Sequence, residues 1–271
     1  CACLTVVKLF GILNITPDSF SDGGRFLAPD AALAHAQTLI DGGADVLDLG
    51  GASSNPDATP VAPEVEIARL APVVAALRER GVPLSIDTYS LAVQRWALAE
   101  GAAYLNDIQG FPEPALYPAL AASPARLVVM HSVQGMGQAT RVHVPAGEIV
   151  ARVCAFFETR IAALTAAGVA RERLILDPGM GFFLGTDPET SLEVLRAIPR
   201  LKREFGLPVL ISVSRKSFLR RIAGRPAAEA GAASLAAELY AARMGADHLR
   251  THAPGPLSDA LRVWRALEFN K

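Results

Sequence analysis

No charge sign dominates this chain of 271 residues: 26 Lys and Arg stand against 27 Asp and Glu, for a net charge of −1 and a pI near 6.6. That balance leaves no electrostatic footprint for nucleic acid or an acidic membrane surface. No apolar run approaches the length of a membrane span. No basic-then-apolar stretch resembles a secretion signal, although the chain begins at Cys1 rather than a methionine. Cysteine is scarce: Cys1, Cys3 and Cys154 form neither a metal-ligand pair nor a disulfide framework, so a reducing cytoplasm is expected. Cys154 reads as a small buried helix residue. Aromatics make up only 6%, and the basic run Arg220, Arg221, Arg225 has none interleaved, so it reads as a solvated helix face. What the chain has in plenty is apolar residues, 51% of the total, enough for an ample core.

Those residues fall into short runs that alternate with alanine-rich amphipathic stretches. The spacing predicts strands at Val6–Ile12, Val46–Gly50, Leu84–Asp87, Tyr104–Asp107, Leu127–His131, Leu174–Asp177, Val209–Val213 and His248–Thr251. It predicts helices at Asp30–Gly42, Val65–Arg80, Leu91–Glu100, Pro114–Ala121, Glu148–Ala167, Glu189–Phe205, Ala227–Met244 and Leu257–Phe269, many closed by a glycine. Eight strand-helix units in this length predict a (β/α)8 TIM barrel, read as one domain over residues 1–271. The runs are apolar throughout rather than alternating, as parallel strands covered on both faces require. A doubly wound sheet is the alternative. No phosphate-binding G-x-G-x-x-G or Walker loop opens a helix.

In a parallel barrel, catalytic groups sit at the carboxyl ends of the strands. Those positions hold Asn14, Asp48, Ser53-Ser54-Asn55, Asp87, Asn106-Asp107, Met130-His131, Asp177, Ser214-Arg215-Lys216-Ser217, Arg250 and His252. Buried polar groups are costly unless something pairs with them, so a ring of them points to a ligand. Asp87, Asn106 and Asp177 form one arc, suited to a flat nitrogen-rich ring with several N–H donors. Asn14, Arg250, His252 and the Ser53-Ser54 loop form a second, suited to an anion, and Lys216 stands between them. Alone, Lys216 reads equally well as a solvated lysine, and Arg250–His252 as a surface salt bridge.

The motifs GILNITPDSFSDGG (Gly11–Gly24), SIDTYS (Ser85–Ser90), YLNDIQG (Tyr104–Gly110), LDPGMGF (Leu176–Phe182), SRKSF (Ser214–Phe218) and RTH (Arg250–His252) resemble dihydropteroate synthase, in order and across the chain. The resemblance implies a (β/α)8 barrel, a homodimer, and Mg²⁺ as cofactor. The implied reaction joins 6-hydroxymethyl-7,8-dihydropterin diphosphate to p-aminobenzoate, giving 7,8-dihydropteroate and pyrophosphate. Carried over by position, Asp87, Asn106, Asp177, Lys216 and Arg250 hold the pterin, with Met130 packed on it. Asn14, Ser53, Arg250 and His252 hold the diphosphate, with Asn14 also a Mg²⁺ ligand. Ser54, Pro56, Phe182, Phe183 and Ser217 line the p-aminobenzoate side. Asp22, in the loop after the first strand, joins Asp87, Asp177 and Lys216 as a catalytic residue when that loop closes. The mechanism so implied neutralises the departing diphosphate and stabilises the cation left on the pterin's exocyclic carbon.

Three departures stand out. The family's usual Glu-Ser-Thr-Arg-Pro reads Ala52-Ser53-Ser54-Asn55-Pro56, which replaces an arginine with Asn55; Arg25 and Arg69 are candidate substitutes. Gly181-Phe182-Phe183-Leu184-Gly185 replaces Gly-Phe-Gly-Lys, and His131-Ser132-Val133-Gln134 replaces a Met-containing loop. These departures resemble the sulfonamide-resistance type, or a chromosomal relative of it, in which an extra aromatic narrows the arylamine pocket. A pterin-dependent methyltransferase would not need SRKS or TPDSFSDGG. A non-catalytic pterin-binding barrel would tolerate loss of Asn14, Arg250 or His252.

Overall fold

A computed structural model describes residues 6–16, 29–135 and 137–269. Its strands are β1 (Lys8–Asn14), β2 (Val46–Gly50), β3 (Leu84–Asp87), β4 (Tyr104–Asp107), β5 (Arg126–Met130), β6 (Leu174–Asp177), β7 (Leu210–Ile211) and β8 (His248–Thr251). All pair in parallel, in the order β6-β5-β4-β3-β2-β1-β8-β7. A bridge between Leu176 and Val209, with the Leu176 N–H donating to the Pro208 carbonyl at 2.9 Å, brings the two ends of the sheet together. The result is a nearly closed TIM barrel wrapped by α1 (Pro29–Asp41), α2 (Pro63–Glu79), α3 (Leu91–Ala99), α4 (Tyr117–Ala122), α5 (Ala146–Ala166), α6 (Pro188–Arg196), α7 (Ile198–Phe205), α8 (Ser217–Ala223), α9 (Gly231–Arg243) and α10 (Pro254–Phe269). None of the described helices is long and apolar enough to cross a membrane.

Three sequence expectations change. The first strand runs two residues further, so Asn14 is its last residue rather than its successor. The stretch 189–205 is two helices, because Pro199 has no N–H to continue the first and instead starts the second. Ser217-Phe218 opens α8, a helix ended by Gly224 in the left-handed conformation (φ 63°); it carries Arg220 and Arg221, expected on a helix face, but starts at Ser217, which was expected in the loop after the seventh strand.

Side-chain alternation divides the barrel interior by height. Phe10, Val46, Tyr104, Val128, Ile175 and Leu210 form one closed apolar cluster. Residues two further along share the same face of each strand. Val46 is thus followed by Asp48, Tyr104 by Asn106, and Ile175 by Asp177. An apolar plug therefore fills the lower interior, and polar groups cluster directly above it. The larger core lies between strands and helices, where Phe157 of α5 is wholly buried and meets Phe156 and Phe205 edge-on, at ring-centroid distances of 5.6 Å. Replacing Phe157 with alanine is expected to lower stability by about 3–5 kcal/mol, read as a shift in the urea midpoint at unchanged slope.

Candidate active site

One guanidinium organises the upper interior. Arg250, at the end of β8, reaches three carboxylates on three other strands: Nη1 lies 3.3 Å from Asp48 and 3.5 Å from Asp87, and Nη2 lies 3.8 Å from Asp177. Burial works against its charge, but the three carboxylates outweigh that and hold its proton more tightly than usual. Burial raises the pKa of Asp48 and of Asp177, each opposed by Arg250. It pushes Asp87, which is half-buried, up to about 7.

The turn after β6 anchors Asp177. Its Oδ1 accepts the Gly179 N–H at 2.8 Å, and Gly179 sits at φ 76° with a Cβ position only 2.4 Å from the His131 carbonyl oxygen, so only glycine fits. Asp177 Oδ2 has no hydrogen-bond partner. Asn106, 1% exposed at the end of β4, leaves both its amide nitrogen and its oxygen unpartnered. A donor and an acceptor left bare beside carboxylates make a costly arrangement unless a ligand completes it.

Lys216 lies beyond this group, its ammonium 5.1 Å from the Phe183 ring centre. Burial, and then Arg250, lower its pKa to about 8 against the pull of Asp177 and Asp87. Phe183 packs with Ile108, Met130 and Ala139, so Met130 is buried beside it. At the end of β8, the Ser214 hydroxyl accepts the His252 backbone N–H at 3.2 Å and lies 3.0 Å from Nδ1. Burial, and then Arg215, Lys216 and Arg250, push His252 down to about 3, so it is neutral at physiological pH. Asn14, Ser53, Ser54, Asp87, Lys216, Arg250 and His252 all line one cavity of about 420 Å³.

A second cavity of about 620 Å³ adjoins it, sharing Thr16, Ser53, Asn55 and Arg220. Pro56 and Phe182 line this outer space. The Arg141 guanidinium stacks over Phe182 at 5.5 Å and forms a two-point ion pair with Asp57, whose Nη1–Oδ1 distance is 2.8 Å. Residues after β5 also tie down the loop after β2: Gln138 donates to the Ser53 carbonyl at 3.1 Å, and the Ala139 N–H donates to the Ser54 carbonyl at 3.0 Å. Ser217, the first residue of α8, sits against Gly181.

Of the expected site residues, Asn14, Ser53, Ser54, Asp87, Phe183, Lys216, Arg250 and His252 share the inner cavity, whereas Asn106, Met130 and Asp177 are buried outside its lining, and the two arcs are not separate. Arg250 belongs to the carboxylate group as much as to the anion side. Asp48, noted only as a strand-end residue, is one of the guanidinium's three partners; the signal was an aspartate inside the apolar run VLDLG. Arg141 gave no sequence signal, since its place over Phe182 depends on a long-range contact. Arg69 lines the outer cavity beside Asn55, with Arg141 and Arg220, so cations are present where the family arginine is missing. Asp22 and Arg25 lie outside the described residues.

The family model for pterin binding enzymes matches residues 10–252. A dihydropteroate synthase type-2 from Escherichia coli is 62% identical over 96% of each chain, and a type-3 enzyme from the same organism is 54% identical over 96% of this chain and 99% of its own. The chain belongs to the dihydropteroate synthases, within the pterin-binding enzyme family. The synthase of Xanthomonas albilineans, solved with 4-aminobenzoic acid, overlays this synthase with a TM-score of 0.89 at 39% identity, covering 99% of this chain and 96% of that one. The same bacterial enzyme solved with 7,8-dihydropteroate gives 0.84 at 37% identity, with the same coverage. The chain is accordingly a transferase of folate biosynthesis.

Removing the guanidinium tests the carboxylate group. Arg250→Met is expected to cost about 3–5 kcal/mol of stability at pH 7, because buried carboxylates lose their counter-charge. The carboxylates of the folded variant then bind protons more readily than in the unfolded chain. Its stability should therefore recover as pH falls from 7 toward 4, in urea titrations across that range.

Proposed function

We propose that this synthase joins 6-hydroxymethyl-7,8-dihydropterin diphosphate to p-aminobenzoate, releasing pyrophosphate, and that it discriminates against sulfonamides. The observation that carries the pterin assignment is Asn106: both polar atoms of its buried amide lack partners, at the β4 position paired with Asp87 of β3, and Asp177 Oδ2 lacks one as well. A pterin edge offers adjacent N–H donors and a carbonyl, which this set complements.

In the proposed reaction the bond from the exocyclic carbon to the diphosphate oxygen breaks, and the arylamine nitrogen takes its place and loses a proton. Asp87 and Asp177 favour the positive charge that develops on the pterin. Lys216 and Arg250 orient the ring and face the anionic leaving group. His252, being neutral, serves as a hydrogen-bond donor to the diphosphate rather than as a charge. Among the described residues no three His, Cys, Asp or Glu side chains gather to hold a metal. The exposed amide of Asn14 at the mouth of the barrel fits Mg²⁺ nonetheless, because that ion keeps several waters and takes other oxygens from substrate phosphates. Bound there, Mg²⁺ would neutralise charge on the diphosphate.

Ser54, Pro56, Phe182, Phe183 and Ser217 form the arylamine side of this reading. Phe182, braced by Arg141, keeps the aromatic of the family motif, while Phe183 is the extra one and narrows the space that a substituent on the sulfonamide group would need. A homodimer is proposed as well. Its support is a groove between α6, α8 and α9, where Ile222 and Tyr240 are 57% and 38% exposed. Cys154 of α5, buried and free, suits a cytoplasmic setting.

Pyrophosphate release should depend on both p-aminobenzoate and the pterin substrate. Asp177→Ala and Lys216→Ala are each expected to lower kcat/KM at least about 100-fold; unchanged turnover would refute the assignment. Release without p-aminobenzoate, or none at all, would favour a different pterin enzyme or a binding barrel. A sulfonamide Ki far above the KM for p-aminobenzoate is expected, with Phe183→Ala lowering the Ki more than the KM. The pH profile of kcat/KM should be bell-shaped. It should rise through about 7 as Asp87 loses its proton and fall above about 8 as Lys216 loses its own. Asp87→Asn should abolish the acid limb.

A further inference from the structure

The face of α9 turned toward the barrel carries two polar residues one helical turn apart, Ser234 and Glu238, among the buried alanines Ala237, Ala241 and Ala242. Both side chains are hidden, at 5% and 3% exposure. Neither is at a strand end, and neither touches the cavities. Each instead meets one of the two chain segments that supply the cationic side of the site.

Ser234 meets the segment after β7. Its hydroxyl donates to the Ala230 carbonyl at 2.7 Å and accepts the Arg215 N–H at 2.9 Å. Arg215 has φ 58° and is one of two described non-glycine residues in the left-handed region. A side chain makes that conformation unfavourable, so it persists only where the surroundings hold it. The next residues are Lys216 and Ser217, and the preceding one is Ser214, whose hydroxyl binds His252. The angle at Arg215 therefore sets where both neighbours point.

Glu238 meets β8. Thr251, wholly buried between Arg250 and His252, accepts the Ala253 N–H at 3.1 Å, and its side chain lies next to the carboxyl of Glu238. The other oxygen, Oε1, has no hydrogen-bond partner. Burial pushes this carboxyl up to about 7.

We propose that Ser234 and Glu238 are positioning residues: from α9 they hold the ends of β7 and β8, and so aim Lys216, Arg250 and His252 at the substrate. Neither acts on the reacting atoms. Because Ser234 works by stabilising a left-handed residue, its worth must depend on what stands at position 215. Glycine adopts that conformation without help.

The test measures the effect of Ser234→Ala on the full-length enzyme in two backgrounds, one with Arg215 and one with Arg215→Gly. With arginine present, kcat/KM for the pterin substrate is expected to fall about tenfold, mainly through kcat, in line with one lost hydrogen bond to a strained peptide. With glycine at 215 the same change should cost less than about twofold. Melting temperatures recorded alongside separate this from general destabilisation, which would lower both backgrounds alike. Glu238→Gln should retain more kcat/KM than Glu238→Leu. Equal losses in the two backgrounds, or an unchanged kcat/KM with arginine present, would overturn the role of Ser234. Equal activities of the two Glu238 variants would overturn that of Glu238.

Discussion

A buried guanidinium facing two buried carboxylates and one half-buried one is the constraint on which the active site rests. Four ionisable groups above an apolar plug would be strongly unfavourable singly, since each loses its hydration. Arg250 makes the arrangement tolerable by touching Asp48, Asp87 and Asp177 together. It does not complete it. Asp177 Oδ2 and both polar atoms of Asn106 stay without hydrogen bonds. The barrel closure that brings β8 near β2, β3 and β6 thus creates an incomplete polar surface as well as a rigid one, and such a surface has most to gain from a ligand with matching donors and acceptors.

Charge at the site is graded outward from this centre. Deep inside, burial raises the pKa of all three carboxylates, that of Asp87 to about 7. Toward the mouth, cations take over: Lys216, Arg215 and Arg220 line the inner cavity, and Arg69 and Arg141 the outer one. A substrate with a hydrogen-bond-donating ring and an anionic tail would lie along that gradient. His252 is kept neutral by burial and by the same cations, so it can offer a hydrogen bond without adding to their repulsion. The segment after β5 links the outer wall into one piece through Gln138, Ala139 and Arg141, which bind the loop after β2 and stack on Phe182.

Much of this was legible in the chain before any coordinates. Eight apolar runs, with polar residues at or just past their ends, imply a parallel barrel with its site at the strand ends, because burial on both faces leaves only those ends for polar groups. Asp87, Asn106, Asp177, Lys216, Arg250 and His252 are among the residues that rule picks out, and the motifs around them, which carry the synthase resemblance, single them out.

Other features depended on contacts between residues far apart in sequence. That Arg250 serves three carboxylates, that Asp48 is one of them, that Arg141 lies on Phe182, and that Ser234 supports Arg215 could not be read from spacing. The partners are separated by 202, 163 and 84 residues for Arg250–Asp48, Arg250–Asp87 and Arg141–Asp57. The break just before Pro199 is local, yet the helix-like pattern on both sides of it masked the boundary. The sequence by itself determined which faces are buried and which strand ends are polar, because periodicity and residue chemistry act locally. Only the tertiary structure decided which charge meets which, because electrostatic pairing depends on distance in space and on desolvation, and the chain acquires both only when the barrel closes.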